Sequence, residues 1–178
     1  MLYPVGMNII LIGMPGSGKT RIGRIVSEKI GRKFIDVDDF IFEQTGKDSA
    51  EHLAELGDDD FLKFESELVK KIDAKNAVIA TSGSVPLVAE GINFLKKNGV
   101  VLWLRPPLEF IEKRVAKRRD GDSRIVGAQT KTLAEILEWR ESEYLKNQDL
   151  IFTIESEMPK EELADKLVEF LREKKIVD

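Results

Sequence analysis

Short apolar runs alternate along this chain with longer stretches in which apolar residues recur every three or four positions. The run Asn8-Ile9-Ile10-Leu11-Ile12 predicts a strand over 8–13, and similar runs predict strands over 33–36, 77–81, 99–104 and 150–154. Amphipathic spacing, as in Ile22, Ile25, Val26 and Ile30, predicts helices near 19–30, 38–45, 49–56, 60–74, 86–97, 107–118, 131–146 and 159–174. Gly31 and Gly99 stand where helices should stop, and Pro159 where the last one should start. Strands that alternate with helices imply a parallel sheet covered on both faces. Ligands of such sheets gather outside the carboxyl ends of the strands, so the chemistry should follow strands one, two and three. With no internal repeat and no low-complexity linker, residues 1–178 read as a single domain.

The first strand ends in Gly13-Met14-Pro15-Gly16-Ser17-Gly18-Lys19-Thr20, which fits G-x-x-x-x-G-K-[ST] at every fixed position. A strand before the motif and an amphipathic helix after it are the context that a phosphate-binding loop requires. Glycines let backbone N–H groups turn toward phosphate oxygens, Lys19 adds a point charge, Thr20 offers a hydroxyl to Mg²⁺, and the helix dipole adds to the attraction. The expected ligand is a nucleoside triphosphate. After the second strand comes Asp36-Val37-Asp38-Asp39. One such carboxylate can hold a water on Mg²⁺, and another can accept a hydrogen bond from a hydroxyl about to be phosphorylated. The alternative, that Asp38 or Asp39 only caps the next helix, stays open on spacing alone.

Composition narrows the setting. The chain has no cysteine, which excludes disulfides and thiolate metal sites, and no apolar run reaches the length of a membrane span. The N-terminal apolar stretch runs straight into the glycine-rich loop and does not read as a signal peptide, with Met1 and Met7 both open as the start. The expectation is a cytoplasmic protein, a monomer or weak dimer. A net charge of −4 argues against nucleic acid as a partner, although the basic cluster Lys113, Arg114, Lys117, Arg118 and Arg119 needs a local explanation.

With the loop, the F-x-D-x-D block at 34–38, the segment GDDDFLKFESELV at 57–69, VIATSGS at 78–84 and RESEY at 140–144, the chain resembles the shikimate kinase family of small P-loop phosphotransferases. The resemblance implies a P-loop fold with a five-stranded parallel sheet, helices on both faces and a mobile lid near 118–129, together with an acceptor-binding helical region near 37–74. It implies transfer of the γ-phosphoryl group of ATP, with Mg²⁺, to a hydroxyl of a small polar molecule, shikimate first among candidates. By this resemblance the nucleotide contacts are Gly13, Pro15, Gly16, Ser17, Gly18, Lys19, Thr20, Arg21 and Arg118. Thr20 and Asp36 serve the metal. Lys19, Asp38 and Arg124 carry catalysis, Arg124 as a lid arginine on the transferring phosphate. The acceptor meets Asp38, Leu62, Glu65, Ser82, Gly83, Ser84 and Arg140.

Three of those positions depart from the pattern. The family holds a carboxylate with two arginines and a triple-glycine turn, and here one arginine position is Leu62 while the turn is Ser82-Gly83-Ser84. Other acceptors, a sugar acid or a nucleoside monophosphate, therefore remain open, as does a nucleotide-binding regulatory protein that transfers to no acceptor. His52, the one histidine, reads as a surface helix residue, and Asp58-Asp59-Asp60 as a helix start that complements the dipole.

Overall fold

Strand β1 (Asn8–Ile12) is buried at every position because it runs through the middle of a five-stranded sheet, ordered β2-β3-β1-β4-β5, in a computed structural model that describes residues 6–117 and 125–178. Its neighbours are β3 (Ala77–Ala80) and β4 (Gly99–Arg105), with β2 (Lys33–Asp36) and β5 (Leu150–Thr153) at the edges, and every pairing is parallel. Alternate β1 side chains feed two cores. Ile9 and Leu11 pack with α1 (Lys19–Lys29) and α7 (Lys160–Glu173), through Ile22, Val26, Leu163, Leu167 and Leu171. Ile10 and Ile12 pack on the opposite face with residues of α2 (Val37–Thr45), α3 (Ser49–Val69), α4 (Ala89–Lys96), α5 (Leu108–Ala116) and α6 (Leu133–Asn147). Covering both faces is what makes the central strands continuously apolar rather than alternating.

The chain builds the sheet first to one side of β1 and then to the other, so the turn after β1 lies at the crevice where parallel sheets bind ligands. Register keeps the carboxyl ends level: Leu11 pairs with Ala80, and Asp36 pairs with Ala80 from the other side. Thr81 then ties β3 to β1, its N–H and its hydroxyl both donating to the Leu11 carbonyl, at 3.1 and 2.9 Å.

The elements match the sequence pattern with two differences. The helices expected at 49–56 and 60–74 meet at a kink at Gly57 (φ 75°, ψ 173°) within the span Ser49–Val69, the first started by a capping box between Asp48 and Glu51 and the second beginning just past the kink. That helix ends at Val69, five residues earlier than expected. Buried Ile72 prolongs the apolar period through a closing turn whose N–H groups, at Lys71 and Ile72, bond back only three residues. The helix expected at 86–97 is a 3₁₀ turn (Val85–Leu87) followed by α4, separated by Val88 in an extended conformation. No helix among the described residues is long and apolar enough to cross a membrane.

Candidate active site

The loop between β1 and α1 inherits its position from the central strand. Gly13, Gly16 and Gly18 have φ of 141°, 85° and 102°, and a Cβ on Gly13 would stand 2.6 Å from the Leu104 carbonyl oxygen. A side chain there would push the loop off β4. Lys19 opens α1 at 6% exposure, and its Nζ donates to the Gly13 and Met14 carbonyls at 2.7 and 3.0 Å, with Ser17 Oγ at 3.4 Å. From α5, Arg114 Nη1 donates to the Gly16 and Ser17 carbonyls at 3.0 and 3.3 Å. Four loop carbonyls are thus held by cations, which keeps their negative ends engaged as an anion approaches. Arg114 was not foreseen as a loop contact, and its role accounts for part of the basic cluster, while Lys113 lies over the Phe110 ring. Thr20 and Arg21, beside Lys19, are exposed.

Asp36 ends β2 at 6% exposure, and its Oδ1 accepts the Asp38 N–H at 2.9 Å. The capping role that the sequence left open for Asp38 or Asp39 therefore belongs to Asp36. Asp38 itself is exposed, and its Oδ1 accepts a hydrogen bond from the Ser49 hydroxyl at 2.7 Å. Ser49, the first residue of α3, carried no signal beyond its place after a helix cap. Among the described residues no group of three or more His, Cys, Asp or Glu forms a metal cage. The residues present suit Mg²⁺, which takes one or two protein oxygens and completes its shell with water and phosphate. Thr20 and Asp36 supply such oxygens at one end of the sheet.

The turn after β3, where the sequence places the acceptor contacts, packs against the phosphate loop. Gly83 is wedged so tightly that a Cβ would lie 2.6 Å from Pro15 Cδ of the phosphate loop and 2.8 Å from Arg140 Nη1. Arg140 and Tyr144, four apart on α6, share one face of that helix. The Tyr144 hydroxyl donates to the Gly83 carbonyl at 2.8 Å, and its ring packs on Trp103 at 5.5 Å. Burial raises the Tyr144 phenol above its ordinary pKa, so it stays a donor at neutral pH. Arg140 is 1% exposed; Nη2 donates to the Val126 carbonyl at 2.8 Å, while Nε has no partner among the described residues.

Glu65, also 1% exposed, accepts a 2.5 Å hydrogen bond from Ser82 Oγ, which lies 3.1 Å from Ser84 Oγ. Burial pushes its carboxyl up to about 7, a rise that the Ser82 and Ser84 hydroxyls and Arg140 only partly oppose and that Asp38 adds to. Leu62, one turn earlier on α3, joins the apolar cluster of Leu53, Phe61 and Val126.

Of the lid expected at 118–129, residues 118–124, with Arg118, Arg119 and Arg124, lie outside the described residues. The remainder is packed: Ile125 and Val126 are buried, Arg140 holds the Val126 carbonyl, and the Gly127 N–H donates to Asp58 at 3.0 Å. Asp58 therefore receives this stretch at the kink of α3. His52 is also not the surface residue expected. The kink at Gly57 brings Phe64 back to 4.4 Å from its ring, and its Nε2 lies 2.9 Å from the Thr45 hydroxyl at the end of α2.

Residues 15–172 match the family profile described as shikimate kinase. The chain belongs to the shikimate kinase family. It is 36% identical over 163 residues to a shikimate kinase of Thermodesulfovibrio yellowstonii, which covers 90% of this chain and 92% of that protein. It is 38% identical over 173 residues, 96% of this chain, to Threonine synthase-like 1 of Homo sapiens, of whose length the chain spans only 23%. Among solved structures, a shikimate kinase from Acinetobacter baumannii in complex with shikimate superposes with a TM-score of 0.78 at 26% identity, covering 97% of this chain and 96% of that one. Membership supports a small-molecule kinase, and kinases of this family use ATP with Mg²⁺.

Proposed function

We propose that this chain transfers the γ-phosphoryl group of MgATP to a hydroxyl of shikimate or of a close polar analogue. The observation that carries the reading is the wedge at Gly83, which brings the turn of the acceptor side into contact with both Pro15 of the phosphate loop and Arg140. Donor and acceptor groups then share one pocket, the condition for an in-line displacement.

In this reading Gly13 and the residues Pro15 to Arg21, with Arg118, grip the nucleotide. Lys19 and Arg124 meet the charge that spreads over the transferring phosphate, where stabilisation raises the rate. Thr20 and Asp36 hold Mg²⁺, which neutralises phosphate charge when bound. Asp38, fixed by Ser49, orients the acceptor hydroxyl and takes its proton as the new P–O bond forms. Arg140, with a buried donor to spare, meets the acceptor's carboxylate, and Glu65, Ser82, Gly83 and Ser84 line its other side.

Leu62 and the two serines favour a second reading, the same transfer to another small alcohol such as a sugar acid. An ADP-release assay with shikimate, sugar acids and nucleoside monophosphates separates the two. Turnover with shikimate above all others is expected. Turnover with another acceptor alone moves the assignment to the second reading, and nucleotide binding without transfer to any acceptor would sink both in favour of a regulatory nucleotide-binding protein.

A further inference from the structure

The sheet has a second end, where the strands begin, and it holds a cavity that phosphoryl transfer does not use. There α3 and α4 stop short of the strands they lead into, β3 and β4, and a space of about 200 Å³ lies between them. Its apolar wall is Ile72, Ile79, Phe94 and Leu95. Asn8, also on the lining, opens β1, whereas the phosphate loop follows the far end of that strand. Five residues of strand, about 16 Å, therefore separate the cavity from the phosphate loop.

The polar groups on the lining are mostly donors. Asn8 is 4% exposed; its Oδ1 accepts the Ala77 N–H at 3.0 Å and its Nδ2 donates to the Ala74 carbonyl at 2.7 Å, which pins the loop between α3 and β3. A carboxamide carries two N–H donors, and the second one of Asn8 has no acceptor among the described residues. Lys71 and Lys75 are exposed and form no ion pair among the described residues, whereas Lys70 is engaged by Glu67. Asp73, the one carboxylate on this lining, pairs with neither lysine. The helix dipole explains a basic residue in a last turn, but Lys75 lies six residues beyond α3 and Asn8 belongs to a strand. Donors beside an apolar wall suit an organic anion. An apolar cavity of about 150 Å³ is enough to hold a benzene ring, so this one takes such a ring with a small head.

We propose that this cavity binds a small organic carboxylate, its apolar ring against Ile72, Ile79, Phe94 and Leu95 and its carboxylate accepting from the Asn8 amide and the ammonium of Lys71 or Lys75. The site is separate from the donor and acceptor sites and does not depend on the assignment of either. Asn8 holds the loop in place before any ligand arrives, so binding does not have to order it.

The test is an NMR titration of the full chain with benzoate, and with benzamide as the uncharged ring of the same shape. Benzoate should shift the amides of residues 70–79 and 94–98 and the Asn8 carboxamide saturably, with a Kd on the order of 1 mM, and leave Gly13 to Thr20 unmoved. Its ring protons should show contacts to the Ile79 and Leu95 methyl groups. Benzamide should bind at least about fivefold more weakly, and Lys71→Met with Lys75→Met should lower benzoate affinity by about fivefold while leaving benzamide unchanged. Should that double variant lose its folded spectrum, salt replaces it: raising NaCl to about 0.5 M should weaken benzoate binding to the wild type severalfold and spare benzamide. No saturation at about ten times the expected Kd, equal affinity for benzoate and benzamide, or shifts confined to the phosphate loop and the 82–84 turn would each overturn the proposal. Benzoate affinity that neither the double variant nor salt alters overturns it as well.

Discussion

The phosphate loop and the proposed acceptor pocket meet at Gly83, yet they are made of different materials. On the donor side one short segment does most of the work: glycines with positive φ, a lysine folded onto the loop's own carbonyls, and one bracing arginine from α5. On the proposed acceptor side five separate places contribute, four with one or two side chains each and one with a backbone carbonyl. These are Asp38 from α2, Ser49 and Glu65 from α3, the turn after β3, Arg140 from α6, and Val126, whose carbonyl Arg140 holds. A backbone cradle depends on the positions of a few glycines and tolerates little change. A cradle of side chains can exchange one contact for another, as Leu62 with Ser82 and Ser84 illustrates. Binding of the donor and choice of acceptor should therefore be separable by mutation.

The sharpest form of that separation sets Lys19→Ala against Asp38→Asn. Loss of Lys19 removes charge from the phosphates in ground and transition states alike. We expect transfer to fall by on the order of a thousandfold or more, with weaker nucleotide binding. Asp38→Asn should reduce transfer to a similar extent while nucleotide affinity stays within about twofold, because the role proposed for this carboxylate is toward the acceptor hydroxyl and not toward the nucleotide. Single-turnover transfer together with nucleotide titration checks both. Equal losses of nucleotide affinity in the two variants would erase the distinction between the regions.

The same contrast governs what could be read before the fold was seen. The donor side was legible because its determinants are contiguous: G-x-x-x-x-G-K-[ST] between a strand and a helix carries its own geometry. The sheet was legible because alternation of buried strands and amphipathic helices admits few arrangements. Arg140 and Glu65 were reached only through resemblance, since nothing local marks two residues 75 positions apart as neighbours of one turn. Ser49 and Arg114 went unassigned, and Asp58 was read only as part of a helix start. Each bonds a group 11 to 98 positions away in sequence, and hydrogen bonds of that span leave no periodic trace. His52 was misplaced because the kink at Gly57, set by one φ of 75°, folds its helix face inward.

A second way to sharpen the comparison is pH, because the acceptor side holds a buried carboxyl with a strongly displaced titration. Glu65 ordinarily titrates near 4.5, and burial pushes it up to about 7 in the folded chain. The folded state thus prefers the protonated form. Its contribution to stability is fully present below about pH 4.5 and is lost as pH rises through about 7, a difference on the order of 3 kcal/mol at most. Glu65→Gln lacks the titration, so unfolding by denaturant should show the variant gaining on the wild type between pH 5 and pH 8. Parallel stability curves across that range would mean that the carboxyl is not held as the structure indicates.

Restoring an arginine at position 62 tests the exchange of contacts directly. Leu62→Arg should strengthen binding of a carboxylate-bearing acceptor by about ten- to a hundredfold, the value of a charge-assisted pair in a partly buried site. Binding of an uncharged polyol and of the nucleotide should change little. Repacking against Leu53, Phe61 and Val126 will cost some stability, so the measurement is acceptor affinity relative to nucleotide affinity in the same preparation. A uniform loss of both would show that Leu62 matters for packing alone.

The smallest expected effect concerns Ser49, which touches the proposed catalytic carboxylate rather than either substrate. Its hydroxyl donates to Asp38 Oδ1 at 2.7 Å, and a hydrogen bond to a charged group at an exposed position contributes on the order of 1 kcal/mol. Ser49→Ala should lower kcat by about three- to tenfold and leave KM for nucleotide and acceptor nearly unchanged, because the lost contact aims the base and does not hold the substrate. The Asp48 cap and its partner Glu51 remain in place, so α3 should start as before. Ser49→Thr keeps a hydroxyl on the same backbone and should recover most of the rate. Failure of that rescue, with KM risen in both variants, would make Ser49 part of the helix start and leave Asp38 to be positioned by its own turn, where the Asp36 carboxylate already holds its N–H.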